Sequence, residues 1–418
     1  MTKRRVVITG MGVVSPCGVG IDKFWDSMIN GRSGITNYER ISTENQVVKV
    51  SGEIKAEDFN PENYISPKEI KRTDRYTQYG IAAADEAIAD AGLSTNDYDP
   101  YKIGVMVSSG AGGFESFERG HLAMLEKGPT KCSPFTIPML IVNMASGRIA
   151  MKYGFKGVNK SVVSACATGT HSIGDAFRSI QYGDADAMVA GGCESILTSL
   201  GIGAFSALRA LSHNKNDEPE KASRPYDKDR DGFVASEGAG VIVLEEYEAA
   251  KKRGAKIYAE IVGYGQTEDA YDMVAPDPEG HGAIKSMEFA LEDAGIKPEE
   301  VDYINAHGTS TGLGDIAESV AIAKVFGDLS TNKHLLVSST KSMHGHMIGA
   351  TGAVEGIVCI KSICDGIVPP TINLDNQDER VADLNYVPHK AVKANVNVAL
   401  SNSFGFGGQN STLVFKKI

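Results

Sequence analysis

The chain has 418 residues, 42% hydrophobic and 23% charged, a globular balance that leaves no basis for long disorder. Its 42 Lys and Arg oppose 53 Asp and Glu, and the net charge of −11 argues against a general nucleic-acid or anionic-membrane binder. No apolar run approaches the roughly 18 residues of a membrane span, and the six cysteines are scattered without a CxxC pair, which argues against a disulfide scaffold or cysteine-bound zinc.

The opening MTKRRVVITGMGVVSP puts positive charge before a short apolar run, but glycines interrupt it and no small-residue cleavage site follows. It reads as a first strand, Arg5–Thr9, and the expectation is cytoplasmic residence. Further strand-like runs follow at Ile103–Ser108, Ala187–Ala190, Gly240–Leu244, Ile257–Val262, Leu335–Ser338, Val396–Leu400 and Thr412–Phe415, alternating with helical patterns. That alternation predicts an α/β fold with buried sheets. AIADAGL (Ala87–Leu93) and ALEDAGI (Ala290–Ile296) share one pattern, each ending a helix at glycine with a strand about ten residues on. The two glycines, Gly92 and Gly295, lie 203 residues apart (295 − 92), close to half the chain. RRVVITGMGVV and KIYAEIVGYGQ match as opening strands, and GVIVLEE and TLVFKKI as closing strands, so the chain reads as a duplication. The halves are 1–253 and 254–418, with the basic stretch KKRGAK (Lys251–Lys256) as a solvated crossing. Pseudo-twofold symmetry then brings the same end of both halves to one site.

SVVSACATGTHSIGDAFRSIQYG runs from a β-branched strand through Cys166 into a helix carried by Ile173, Ala176, Phe177 and Ile180. Small neighbours (Ala165, Ala167, Gly169) leave room around the sulfur, and a helix N-terminus favours thiolate. A reactive or an inert buried cysteine both fit; Cys132, Cys193, Cys359 and Cys364 read as inert. Thr170–Gly174 approximates a nucleophile elbow and Gly10–Ser15 a dinucleotide fingerprint, each with one essential glycine replaced. His307, in NAHGTSTGLGD, and His346, in KSMHGHMIGATGA, each follow a strand beside glycine, as at a site on one sheet edge, and Lys341 shares the second loop. His344, His346, His307 and Asp315 form an alternative metal-ligand set. NSFGFGGQN (Asn402–Asn410) reads as a bulged turn or as a mobile loop supplying a backbone N–H and a hydrophobic gate. Ser66-Pro67-Lys68-Glu69 is a capping box, after which Lys68, Lys71, Arg72 and Arg75 fall on one basic helix face, either a solvated stripe or a docking surface.

ACATGTHSIGDA, NAHGTSTGLGD, KSMHGHMIGATGA and SFGFGGQN, with DKDRDGFVASEGAG and VPPTINLDNQD, resemble the β-ketoacyl-acyl-carrier-protein synthases from Val6 to Ile418, most closely the elongating type II enzymes. The resemblance implies the thiolase fold: two βαβαβαββ halves in five α-β-α-β-α layers, usually a homodimer. It implies that Cys166 carries the acyl chain as a thioester and that the N–H groups of Cys166 and Phe406 form an oxyanion hole. His307 and His346 would stabilise the enolate left by decarboxylation of malonyl-carrier protein, with Lys341 holding their electrostatics. Phe406 would gate an apolar tunnel lined by Phe205, and Ala111 stands where a bulkier isoleucine is usual, which leaves acyl length open. Asn305, Glu355, Ser401 and Asn402 match positions around a structural Na+ or K+; no organic cofactor is implied. Acidic acyl carrier protein would dock on Lys68, Lys71, Arg72 and Arg209, with Lys131 nearby. Gln409 and His344 each replace a usual threonine, and His344 either alters the titration of His346 or faces solvent. A polyketide-type ketosynthase of the same mechanism, a thioester hydrolase using Cys166 and a non-catalytic partner subunit are the other readings.

Overall fold

The computed structural model describes residues 3–328, 331, 332 and 334–418. Nine strands build the main sheet: β1 (Val6–Ser15), β2 (Ile103–Ser108), β3 (Ala187–Glu194), β4 (Gly238–Glu246), β5 (Ala259–Glu268), β6 (Tyr303–Asn305), β7 (Leu336–Ser338), β8 (Val398–Gly405) and β9 (Gln409–Lys416). Their spatial order is β7-β6-β8-β9-β5-β1-β4-β3-β2, and a short strand at Gly18–Val19 pairs with β1. Asn159 forms a single parallel bridge to Val105 on β2, the place β7 takes beside β6. The order is therefore palindromic about the β1–β5 contact, where Val6–Ile8 run antiparallel to Ala259–Ile261.

Four helices complete the layers: α1 (Arg75–Ala91), α2 (Thr168–Gln181), α3 (His281–Ala294) and α4 (Thr351–Asp365). Helix α1 covers the outer face of β1, β4 and β3, and α3 covers β5 and β9. Between the two half-sheets lie α2 and α4, buried on nearly every side, with 11 of 14 and 12 of 15 residues buried. Three apolar layers result, one under each outer helix and a central one joining Ile8, Met106, Ile173, Phe177, Ile357 and Phe415. This is the expected five-layer α-β-α-β-α arrangement.

The repeated glycines have a packing reason. A Cβ on Gly10 or Gly12 of β1 would lie 2.1 or 2.0 Å from the carbonyl oxygens of Ala87 and Ala83 on α1. A Cβ on Gly263 or Gly265 of β5 would lie 2.2 or 2.0 Å from those of Ala290 and Ser286 on α3. Strand and helix backbones touch at corresponding places in both halves, and the apparent dinucleotide fingerprint is part of this contact inside β1. Helices α1 and α3 both end on left-handed glycines, Gly92 (φ 59°) and Gly295 (φ 63°).

Three local expectations are corrected. Residues 161–164 before Cys166 form no strand: past the bridge at Asn159 they have left the ladder of β2. In KKRGAK, Arg253 is tied to the buried carboxylate of Glu245 (2.6 Å), so the crossing is anchored rather than wholly solvated. The basic face is not one helix. Its first helix spans only Pro67–Ile70, and Asp74 then caps a separate one, α1, by accepting the N–H of Tyr76. Arg75 turns to Glu115 (3.1 Å), while Lys68, Lys71 and Arg72 stay exposed. Among the described residues no helix is long and apolar enough to cross a membrane.

Candidate active site

Cys166 sits in a single turn, Ala165–Ala167, that leads directly into α2. Ala165 adopts φ 47°, a left-handed conformation that is strained for a residue with a Cβ. The backbone N–H groups of Phe406 and of Cys166 itself lie close enough to the buried sulfur to favour its thiolate form. Gly405 permits this approach, since a Cβ there would lie 3.3 Å from the Cys166 nitrogen. Burial is the largest influence and pushes the thiol up to about 11, against the opposing charge of Lys341 and the Phe406 N–H. Burial thus outweighs these influences, and a proton acceptor beside the sulfur would assist its ionisation.

Two acceptors face it. The Cys166 sulfur and one ring nitrogen each of His307 and His346 lie within 4.8 Å of one another. The two rings stand nearly perpendicular (84°) with centroids 5.5 Å apart. Burial first, and then the Lys341 cation, hold both imidazoles well below their usual pKa, so both are neutral. His307 follows β6, and its N–H and that of Gly308 each donate to Glu318 at 2.7 Å. Glu318, on the helix Gly314–Phe326, escaped the sequence reading; burial pushes its carboxyl up to about 7. His346 shares its Nδ1 with the Thr351 hydroxyl (3.0 Å), leaving Nε2 without a protein partner. Lys341 is buried and pairs with Glu355 at 2.5 Å.

A cavity of about 640 Å³ joins Cys166, His307 and His346 to Phe205, Ala111 and Phe406. Aromatic rings form part of its wall: Phe205 packs against Phe406 (6.5 Å) and Phe233 (5.6 Å), and Phe233 packs edge-on against His346 (5.2 Å). Arg209 is exposed at the cavity, and Arg72, over the ring of Phe135, and Lys131 are also exposed. Gln409 lies opposite Glu268 where β9 begins.

The alternative metal set does not assemble. His344 is fully buried, with Nδ1 on the Gly345 carbonyl (2.7 Å) and Nε2 on Thr340 Oγ1 (3.0 Å), so it does not face solvent. Asp315 accepts the N–H groups of Tyr226 and Ser310. Of the four cation positions, three carry buried oxygens without a protein partner: Asn305 Oδ1, Glu355 Oε2 and Ser401 Oγ. Asn402 differs, because its side-chain oxygen accepts from Thr412 (2.9 Å) and its amide faces Met287 and Glu318. The apparent elbow serine, Ser172, lies inside α2 and donates to Ser108.

The family model described as the β-ketoacyl synthase N-terminal domain matches residues 3–250, and that of the C-terminal domain matches residues 258–375. The chain is 51% identical, over the full length of both, to the 3-oxoacyl-[acyl-carrier-protein] synthase 2 of Vibrio cholerae. It is also 51% identical to that of Staphylococcus aureus, over 99% of this chain and 98% of that one. Among solved structures, a type II polyketide-synthase ketosynthase in complex with its acyl-carrier protein superposes with TM-score 0.91 at 35% identity, covering all of both chains. A β-ketoacyl synthase from Burkholderia phymatum gives 0.90 at 34% identity, covering 99% of this chain and 100% of that one. With both domain models matched in order and relatives aligned from end to end, the chain belongs to the β-ketoacyl synthase family.

Proposed function

We propose that this chain elongates fatty-acyl groups by decarboxylative Claisen condensation, joining an acyl group on Cys166 to malonyl-acyl-carrier protein. The observation that carries the reading is the convergence of one thiol and two neutral imidazoles within 4.8 Å, at an apolar cavity large enough for an alkyl chain. Cys166 gives its proton to a neutral histidine, and the sulfur attacks the acyl-thioester carbonyl. The N–H groups of Cys166 and Phe406 stabilise the resulting oxyanion, and the carrier thiol leaves with a proton. Malonyl-carrier protein then enters and its C–C bond breaks, releasing CO₂; the electron pair forms an enolate held by the imidazole N–H groups of His307 and His346. The enolate carbon attacks the acyl carbon, Cys166 departs as thiolate, and a 3-oxoacyl-carrier product two carbons longer is released. Neutral imidazoles suit both steps, since one must take a proton and both must donate to developing charge.

An acidic acyl carrier protein docks on the exposed Lys68, Lys71, Arg72 and Arg209. The enzyme works in the cytoplasm as a homodimer. The surface favours a second copy: Leu125 (66%), Ile137 (63%), Met151 (65%) and Val163 (52%), all between β2 and α2 in the chain, are large apolar side chains left exposed. Asn305 Oδ1, Glu355 Oε2 and Ser401 Oγ would hold a structural Na+ or K+, an all-oxygen set that suits a hard cation. Incubation with acyl- and malonyl-carrier protein, followed by mass analysis, tests the reading. The expected products are CO₂ and the two-carbon extension; free fatty acid alone means a hydrolase, no turnover means a non-catalytic subunit, and either result overturns the proposal.

A further inference from the structure

Glu194 ends β3 beneath the site, fully buried, and takes no part in the chemistry described above. Its carboxylate gathers four donors from two distant stretches of chain. From residues 109–111, which follow β2, come the Ser109 hydroxyl (2.6 Å) and the N–H groups of Gly110 (2.8 Å) and Ala111 (3.3 Å). From the turn before α4 comes the N–H of Gly349 (3.1 Å). Glycine is a steric requirement at Gly349, and Gly110 is closely packed as well. A Cβ on Gly349 would lie 2.5 Å from the Gly110 nitrogen and 2.7 Å from Glu194 Oε2, and one on Gly110 would lie 3.0 Å from the same oxygen. The residues beside these glycines, Ala111 and Ile348, both line the cavity with Cys166. Ile348 stands at φ 44°, an outlier for a β-branched residue that persists only where its surroundings hold it. The bond from its neighbour Gly349 to Glu194 supplies that hold.

We propose that Glu194 is a positioning residue for acyl-length specificity, fixing the cavity wall beside Cys166 by clamping the segments that carry Ala111 and Ile348. The inference rests on the reading of the cavity as an acyl pocket. Burial pushes the Glu194 carboxyl up to about 7, and its four donors act the other way. Oε1 takes Ser109 and Ala111 and Oε2 takes Gly110 and Gly349, so Glu194→Gln, with an N–H₂ group in place of one oxygen, sets that group against one of these donor pairs and loosens the clamp while keeping the volume.

The test is single-turnover loading of Cys166 from butanoyl- and dodecanoyl-carrier protein, in the wild type and in Glu194→Gln. Dodecanoyl loading is expected to fall about 10²-fold, the scale of a one-ångström misplacement, with butanoyl loading changing less than about threefold because the short chain covers less of the loosened wall. Iodoacetamide alkylation of Cys166 is expected not to slow, since the Glu194 charge disfavours the thiolate and its loss helps. Ser109→Ala removes a single donor and moves the same ratio in the same direction by a smaller factor, which keeps the test valid if Glu194→Gln folds poorly. An unchanged chain-length ratio, or an equal loss at both lengths, overturns the role of Glu194. If the wild type loads neither thioester, the acyl-pocket reading itself falls and takes this inference with it.

Discussion

His344 carries a consequence for stability that can be calculated. Its ring is buried, and burial, reinforced by the Lys341 charge, depresses its pKa from 6.5 to about 3. In the unfolded chain the same imidazole binds a proton below its ordinary value. A histidine depressed on folding contributes stability that is complete above about 6.5 and is lost as pH falls from there toward the folded value. At about pH 5 the loss is about 1.5 pH units, or about 2 kcal/mol at 1.36 kcal/mol per unit. His344→Thr removes this group and leaves His307 and His346 buried, so the difference between the two proteins reads chiefly the His344 proton, with a smaller contribution from His346, which His344 helps hold down. Losing the ring's bonds and volume lowers stability at every pH; only the slope reports titration. Reversible urea unfolding at about pH 7 and about pH 5 is therefore expected to show the wild type losing about 2 kcal/mol more than the variant. Parallel losses in the two proteins would refute the assignment of a neutral, proton-excluding ring.

Lys341→Met strands Glu355 in the interior and is expected to cost about 3–5 kcal/mol. It also removes a charge that holds His307 and His346 down, so the acid limb of the acylation rate moves to higher pH; an unmoved limb counts against the assigned electrostatics. Cys166→Ala abolishes condensation, whereas Cys166→Gln still decarboxylates malonyl-carrier protein by mimicking the acylated state; CO₂ release distinguishes them, and an inactive Cys166→Gln argues against that mimicry. Ala111→Ile fills space beside the sulfur, and the ratio of dodecanoyl to butanoyl loading should fall about tenfold; an unaltered ratio removes Ala111 from the acyl path. Reversing charge at Lys71 and Arg72 should raise the KM for carrier protein about tenfold and flatten its salt dependence with kcat preserved. Should KM stay where it was, docking lies elsewhere.

The reacting groups were legible because each is punctuated by small residues in consecutive sequence, and glycine around a sulfur or an imidazole is a local signal. Glu194 and Glu318 were not, because they act by accepting backbone N–H groups, and every residue except proline offers one. The partners of Glu194 lie as far as 155 residues away, with nothing in the side-chain pattern to reveal them. The basic stripe misled for a different reason: helical spacing continued through 71–74, but Thr73 bonds back to Glu69 and Asp74 starts a new helix in another direction. Val162 and Val163 look like a strand by composition, yet they lie past the edge of β2, and β-propensity alone makes no ladder.

The shared middle layer makes the two repeats thermodynamically inseparable. Helices α2 and α4 come from opposite halves, and they pack on each other and on the sheet around them. A fragment ending near Lys252 would present the buried face of one of these helices to water, and the complementary fragment would present that of the other. Either would be prone to stick to itself, and one would hold the sulfur while the other held both imidazoles. Co-expressed pieces should regain stability and turnover only on re-association, so the symmetry visible in the chain describes its layout and not a pair of autonomous units.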